Sequence, residues 1–279
     1  MTDVWDEAVK LLRIGYAFTK SDFKTIVAPV IGYALVSSPT IYYSQLPALT
    51  TWVWIFLLQF CAANQVSSFN EDALNKPYRP IPAGLISVKS AQALRWILSI
   101  VCLWASWYLK VFYPGVSLSI SFVVYNEMGF DSFWYTKNIL NAIGIVSWNI
   151  GASKIASQNA SFTLDDRIWL APYISILLIA STIHVQDFRD IDGDRIQGRL
   201  TLPVLIPSLS RYLTFALLVL WSIELVLFWK SPLIIIIGFV FLGIYVGGRI
   251  VIQRSKFEDT VSLRYYMVRV LSSLAVATN

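Results

Sequence analysis

Asp187, Asp190 and Asp194 stand at i, i+3 and i+7 in the stretch HVQDFRDIDGDRIQGRLTLPV. On a helix that spacing places three carboxylates on one face and turns Asp192 away. Like charges so close repel unless a cation sits among them. Oxygen ligands of this kind suit Mg2+, which keeps several waters and bridges carboxylates to substrate phosphates. A solvated helix end is the plainer reading, since Arg189, Arg195 and Arg199 accompany the acids. The setting favours the metal, because ionisable groups at the mouth of a membrane bundle are usually functional.

A second polar stretch, NEDALNKPYRPIPAG, runs from Asn70 to Gly84. Asn64, Ser68 and Asp72 share a helical face at i, i+4 and i+8, with Gln65 and Glu71 flanking it. One carboxylate and two neutral oxygens can join a metal site directly or through water. Lys76 and Arg79 are placed to hold diphosphate oxygens, the arginine bidentately; ordinary loop charge is the alternative. Pro77, Pro80 and Pro82 stiffen the loop, and Gly84 allows a sharp turn. Two acidic helical faces with basic residues around an anion make a diphosphate site at a membrane–water boundary. The natural ligand is a diphosphate whose greasy tail enters the bundle.

The elements that must position these groups are membrane helices. The chain has 279 residues, 56% hydrophobic and only 14% charged, against about 25% charged in soluble domains. Apolar runs at roughly 25–45, 50–69, 91–109, 112–127, 139–158, 167–186, 209–229, 231–248 and 262–277 predict nine spans, an all-α polytopic membrane protein. The last is diluted by Arg264 and Arg269. With the N-terminus inside, eighteen of the 22 basic residues fall on the inner side, leaving Lys110, Lys154, Arg167 and Lys230 outside. The net charge of +5 therefore reflects which loops face the cytosol, and no nucleic-acid partner is implied. The N-terminal MTDVWDEAVKLLRIGYAFTKSDFK reads as an amphipathic lead-in without the pattern of a signal peptide. Cys61 and Cys102 lie inside spans as small core residues and not as a disulfide pair. Asp72, Arg79 and Pro82 echo Asp192, Arg199 and Pro203 at an offset of about 120 residues, or four helices. One domain, 1–279, containing a repeat of four-helix units at about 25–130 and 139–250, would set the two acidic segments across a shared cavity.

The stretch NQVSSFNEDALNKPYRPIPAGLIS also resembles the first signature of the UbiA superfamily of intramembrane prenyltransferases. That signature begins Asn-Asp, has aspartates four and eight residues after the asparagine, and runs into Asn-Lys-Pro-x-Arg-Pro-x-Pro-x-Gly. DFRDIDGDRIQGRLTLPV resembles the second, Asp-x-x-x-Asp, with Asp190 and Asp194 as the pair and Asp187 as an additional acid. The resemblance covers the whole chain. It implies a helical barrel with a central cavity, Mg2+ dependence, an isoprenoid diphosphate substrate and residence in a lipid bilayer, with the motif loops cytosolic. For a fungal protein the membrane would be that of the endoplasmic reticulum.

The departures narrow the expectation. Gln65 and Ser68 stand where relatives carry aspartates, so only Asp72 of the first motif's carboxylates is in register. FTKSDFKTIVAPVIGYAL and the NQ…EDALNKPYRP variant look more like the fungal UbiA-type terpene cyclases. By that resemblance Asn64, Gln65 and Asp72 form a first polar cluster and Asp187, Asp190 and Asp194 a second, with Asn64 and the four aspartates as metal ligands. Lys20 stands where many members have a basic residue opening the first span, a diphosphate candidate; Lys137 and Asn141 are weaker ones.

Loss of diphosphate leaves an allylic cation that water would quench, and aromatic faces stabilise it without reacting. Trp52, Trp54, Phe60, Tyr125 and Trp148 lie within spans and are candidates to line the cavity. His184, the only histidine, precedes Asp187 by three residues. It reads as a structural histidine, with removal of the terminating proton as the alternative. The expected activity is cyclisation of a prenyl diphosphate, farnesyl diphosphate first. Intermolecular transfer of the chain to an aromatic or other acceptor is the alternative, and a non-catalytic isoprenoid-diphosphate carrier ranks last.

Overall fold

Helix α1 (Thr2–Thr19) exposes Trp5, Leu11, Leu12 and Tyr16 on its outward face and buries Phe18, as an amphipathic lead-in should. The computed structural model describes residues 2–38, 40–158, 166–229 and 233–276. After α1 a π-helical turn (Phe23–Val27) feeds α2 (Ala28–Ser37). This first span stops well short of the expected residue 45. Ser38 precedes a proline and takes the extended conformation that proline imposes, φ −77° and ψ 130°.

The following elements are α3 (Leu46–Ser67), α4 (Phe69–Asn75), α5 (Val88–Tyr108), α6 (Phe112–Asn126), α7 (Trp134–Ala156) and α8 (Asp166–Thr182). A 3-10 segment (Ile183–Asp190) leads into α9 (Ile191–Ile196), α10 (Leu202–Leu205), α11 (Pro207–Trp229), α12 (Leu233–Ile252) and α13 (Lys256–Val276). Helices α2, α3, α5, α6, α7, α8, α11, α12 and α13 answer to the nine predicted spans. Lys230 lies outside the described residues. The extended structure among the described residues is one isolated parallel bridge, Phe133 to Leu200. The architecture is all-α. Three stretches, Tyr43–Ser67, Trp134–Ala156 and Pro207–Val226, are by length and composition alone apolar enough to cross a bilayer. Elsewhere the outward faces are apolar as well: Ile97, Ile100 and Trp104 on α5, Ile234, Ile237 and Phe241 on α12.

Two breaks shape the polar loops. Ser68, between α3 and α4, leaves helical geometry (φ −101°, ψ 19°), so the predicted face through Asn64, Ser68 and Asp72 is interrupted. The predicted single face through Asp187 and Asp194 is also broken, because the chain runs as a 3-10 helix to Asp190 before α9 begins. Three residues per turn then stack Asp187 above Asp190. Gly84 takes the left-handed conformation (φ +72°), closing the turn into α5 as its type suggested.

Buried side chains form two clusters. One joins α1, α2, α3, α5, α6 and α7 around Phe56, Leu57 and Leu118; the other joins α7, α8, α11, α12 and α13 around Ile179, Val246 and Tyr266. Helix α2 packs on both α7 and α13, closing the bundle around a central cavity. Trp52 and Trp54 do not reach that cavity. The Trp52 indole donates to Ser106 Oγ at 2.9 Å, and that of Trp54 donates to Thr19 Oγ1 at 3.1 Å. Both are struts of the first cluster. Cys61 and Cys102 are free and buried.

Trp52 also sets the approach of α7. A Cβ on Gly151 would lie 2.3 Å from Trp52 Cη2, and the hydrogen-bonded ring has no room to retreat. Gly151→Ala should therefore cost about 1–3 kcal/mol of stability through overpacking. Gly32→Ala, where no atom lies within 4 Å of the added carbon, should be neutral or stabilising. Thermal melting in detergent checks both, and equal effects would refute the account.

Candidate active site

A cavity of about 180 Å3 lies where α3, α6, α7 and the 3-10 segment meet, and its wall divides by chemistry along the helix axes. Lys137, in the first turn of α7, and Trp148, eleven residues on, both line it; at 1.5 Å per residue they stand about 16 Å apart in depth. Near the loops the wall carries Asn64, Gln65, Glu71, Lys76, Arg79, Asp187, Asp190, Asp194 and Arg199. Deeper, Phe60, Phe122 and Trp148 continue the wall as aromatic rings, and Tyr125, at the end of α6, joins them to the mouth; ring centroids are 5.0 Å (Phe60–Phe122), 5.5 Å (Phe60–Tyr125) and 5.6 Å (Phe122–Trp148) apart.

The acids and bases at the mouth pair with one another. Lys137 Nζ donates to Asp187 Oδ1 at 2.7 Å and lies 3.8 Å from Asp194 Oδ2. Lys76 lies 3.7 Å from Asp190, whose other oxygen accepts from Arg189 Nε at 3.3 Å. Arg199 Nη1 lies 3.4 Å from Asp194 and 3.9 Å from Glu71. Asn141 Nδ2 caps the Lys137 carbonyl at 2.9 Å. Burial pushes the Asp187 carboxyl up to about 6, even with the Lys137 ammonium opposing it. Burial raises Glu71 as well. At Asp190 burial also pulls upward, but Lys76, Arg189 and Lys137 outweigh it and hold the carboxyl below its usual range.

Several expected site residues stand elsewhere. Asp72 is fully buried off the cavity, both its oxygens taken by Arg79 Nη1 at 2.8 and 2.6 Å, and Ser68 Oγ adds a third bond at 3.2 Å. Asp72 and Ser68 are thus the anchor of the loop, and Arg79 spends its Nη1 on a carboxylate. Lys20 is exposed, its ammonium 5.4 Å from the centre of the Tyr78 ring, and does not line the cavity. His184 is buried outside it, Nε2 paired with Thr214 Oγ1 at 2.7 Å. That pairing gives the histidine a partner within the helix packing. Gln65 lines the cavity, but its amide donates to the Phe18 carbonyl at 3.2 Å.

Sequence reasoning missed Asp22 and undervalued Glu71 and Arg199, all on the cavity wall. Glu71 stands there instead of Asp72: seven residues beyond Asn64 is nearly two full helical turns, closer to the Asn64 face than eight. Asp22 sits between α1 and the π-helical turn, its Oδ2 3.8 Å from Cys61 Sγ. Burial raises its carboxyl against the pull of Arg79, Arg189 and Lys76. No motif marked it, because the fold and not the local sequence brings residue 22 beside residue 61.

The donor set fits a hard divalent cation. The acidic groups on the wall and Asn64 offer oxygen alone, and Asp187 Oδ2 is buried without a hydrogen-bond partner. Among the described residues no three acidic, histidine or cysteine side chains converge on one point. Each mouth acid is held toward a base instead, so an ion there would complete its shell with anionic oxygens of a ligand and with water.

Comparison with known proteins agrees with this geometry. The UbiA prenyltransferase family model matches residues 26–270. The chain is 29% identical over 266 residues to fumagillin beta-trans-bergamotene synthase af520 of Aspergillus fumigatus, covering 95% of this chain and 91% of that one. It is 29% identical over 219 residues to polyprenyl transferase eriF of Hericium erinaceus, covering 75% and 74%. The structure of a UbiA homologue from Archaeoglobus fulgidus bound to GPP and Mg2+ superposes with a TM-score of 0.69 at 16% identity, over 95% of this chain and 100% of that one.

The Asp72–Arg79 pair yields a stability test. Removing one partner of a buried pair strands the other charge, at a cost of about 3 kcal/mol or more. Arg79→Ala should lower the melting temperature more than the double variant Asp72→Asn/Arg79→Gln, which buries no lone charge. Equal losses in the two proteins would contradict the anchoring role.

Proposed function

The chain belongs to the UbiA prenyltransferase family, and from that premise we propose that it is a membrane-bound terpene cyclase. It ionises a prenyl diphosphate, farnesyl diphosphate first, and cyclises the cation within the same molecule, the terminating proton passing to the departed diphosphate. The observation that carries this reading is the division of one cavity into a charged mouth and an aromatic interior. A diphosphate fits the first and an isoprenoid chain the second.

When bound, Mg2+ would supply Lewis-acid neutralisation of the departing diphosphate, with Asn64, Glu71, Asp187, Asp190 and Asp194 as the residues able to hold it. The chain's own residues do the rest. Lys76, Lys137 and Arg199, each beside an acid in this structure, exchange that acid for diphosphate oxygens. The carboxylates so released would be free to hold the divalent ion, which would keep the mouth close to neutral. Both halves of the exchange must occur together, since either alone leaves buried charge unpaired. Phe60, Phe122, Tyr125 and Trp148 face the hydrocarbon and stabilise a positive centre by cation–π attraction, about 0.5–2 kcal/mol each when desolvated. Their bulk also keeps out the water that would quench it.

Cyclisation over transfer rests on the thinned first motif. Gln65 is neutral and tied to a backbone carbonyl, and Asp72 is consumed by Arg79. The synthase relative supports the same side. The equal identity to a polyprenyl transferase keeps transfer to an acceptor as the second reading. The basic inner loops support a cytosolic mouth.

Membranes carrying the protein, supplied with Mg2+ and farnesyl diphosphate and no acceptor, should release cyclic hydrocarbon into the headspace. Turnover that begins only on adding an aromatic acceptor would sink the cyclase reading. Asp187→Ala, Asp190→Ala and Asp194→Ala should each cut turnover at least about a hundredfold, roughly 2.7 kcal/mol of barrier, with membrane insertion intact. Near-normal rates in these variants would refute the metal assignment.

A further inference from the structure

Arg199 is shared by three carboxylates, and the closest of them is not on the cavity wall. Its Nη2 donates to Asp131 Oδ2 at 2.5 Å, while Nη1 stands 3.4 Å from Asp194 and 3.9 Å from Glu71. Asp194, Glu71 and Arg199 line the cavity; Asp131 reaches the guanidinium from behind it, in the 3-10 turn Phe130–Ser132 between α6 and α7.

The backbone fixes both partners. Gly129 (φ +71°) precedes the turn holding Asp131, and Gly198 (φ +69°) precedes Arg199. Leu200 N donates to the Ser132 carbonyl at 2.7 Å, and Trp134 N donates to the Leu200 carbonyl at 3.1 Å. The two loops, 68 residues apart at the ion pair, are thus stitched side by side. From the same strand-like segment Thr201 Oγ1 donates to Asp194 Oδ2 at 3.2 Å, and Arg199 N to the Asp194 carbonyl at 2.9 Å.

We propose that Asp131 is a positioning residue that draws Arg199 off the cavity acids, leaving Asp194 and Glu71 able to take a divalent cation. This rests on the metal–diphosphate reading of the site. Without Asp131 the strongest carboxylate partner of Arg199 is gone, and the guanidinium closes on Asp194 and Glu71. Both acids are then neutralised before an ion arrives. Mutation of groups in the shell around a metal's ligands commonly weakens metal affinity about 10–100-fold.

The experiment is a Mn2+ titration of the detergent-solubilised full chain in the presence of farnesyl S-thiolodiphosphate, with free Mn2+ read by electron paramagnetic resonance. Asp131→Asn and Asp131→Ala should raise the Mn2+ dissociation constant about tenfold or more. Asp131→Glu, which restores the charge, should recover most of it. Melting curves taken without ligand establish the folded fraction. Variants that melt lower but bind Mn2+ like the parent would overturn the inference, since Asp131 would then be structural only. A parent chain that takes up no Mn2+ with the analogue present would overturn the metal–diphosphate reading itself and the inference with it.

Discussion

Charge inside a membrane bundle must be paired, and most of this structure's polar architecture follows from that constraint. An isolated ion in a low-dielectric interior costs several kcal/mol even after relaxation. Each cavity carboxylate of the second polar segment accordingly faces a base: Asp187 with Lys137, Asp190 with Lys76 and Arg189, Asp194 with Arg199. The same rule operates away from the cavity, where Arg211 and Asp259 form a two-pronged pair at 2.8 and 2.8 Å that ties α11 to α13. The difference lies in commitment. The Arg211–Asp259 pair sets two nitrogens on two oxygens, and in the Asp72–Arg79 pair Nη1 alone reaches both oxygens at 2.8 and 2.6 Å; both pairs hold the fold. At the mouth, the 3.4–3.9 Å pairs of Lys76 and Arg199 with the cavity acids are loose enough to be exchanged.

Helical phase and local pairing decide which side chains reach the cavity. Glu71, seven residues or nearly two turns beyond Asn64, reaches the wall, while Asp72 turns to Arg79 and anchors the loop. Likewise the 3-10 run ahead of α9 stacks Asp187 and Asp190 toward the same wall. At Ser68 the backbone bonding runs on through the change of geometry: Ser68 N donates to the Asn64 carbonyl and Asp72 N to that of Ser68, both at 2.9 Å.

Aromatic residues divide between two tasks that composition does not distinguish. Trp52 and Trp148 are both buried tryptophans of long apolar helices. Trp52 is locked against Gly151 with its indole bonded to Ser106; Trp148 faces the cavity with its indole nitrogen unpartnered. The rings of the cavity wall are held by other rings rather than by polar bonds, through the Phe60–Phe122–Trp148 chain of contacts.

The sequence by itself determined the all-α membrane architecture, because runs of apolar residues long enough to span a bilayer have no other way to satisfy their backbone. It also marked the two polar segments that meet at the cavity mouth, since acids and bases so dense stand out between apolar runs. Only the tertiary structure decided which of them line the cavity. Spacing does not say which acid a nearby base will take, so it misplaced Asp72 and Ser68, which pair with Arg79 and with each other. It held no information on pairs distant in the chain: Asp22 beside Cys61, Asp131 on Arg199, His184 on Thr214. Those contacts are products of packing between helices. There the partner of a charge is whatever the fold brings within reach, and spacing along the chain says nothing about it.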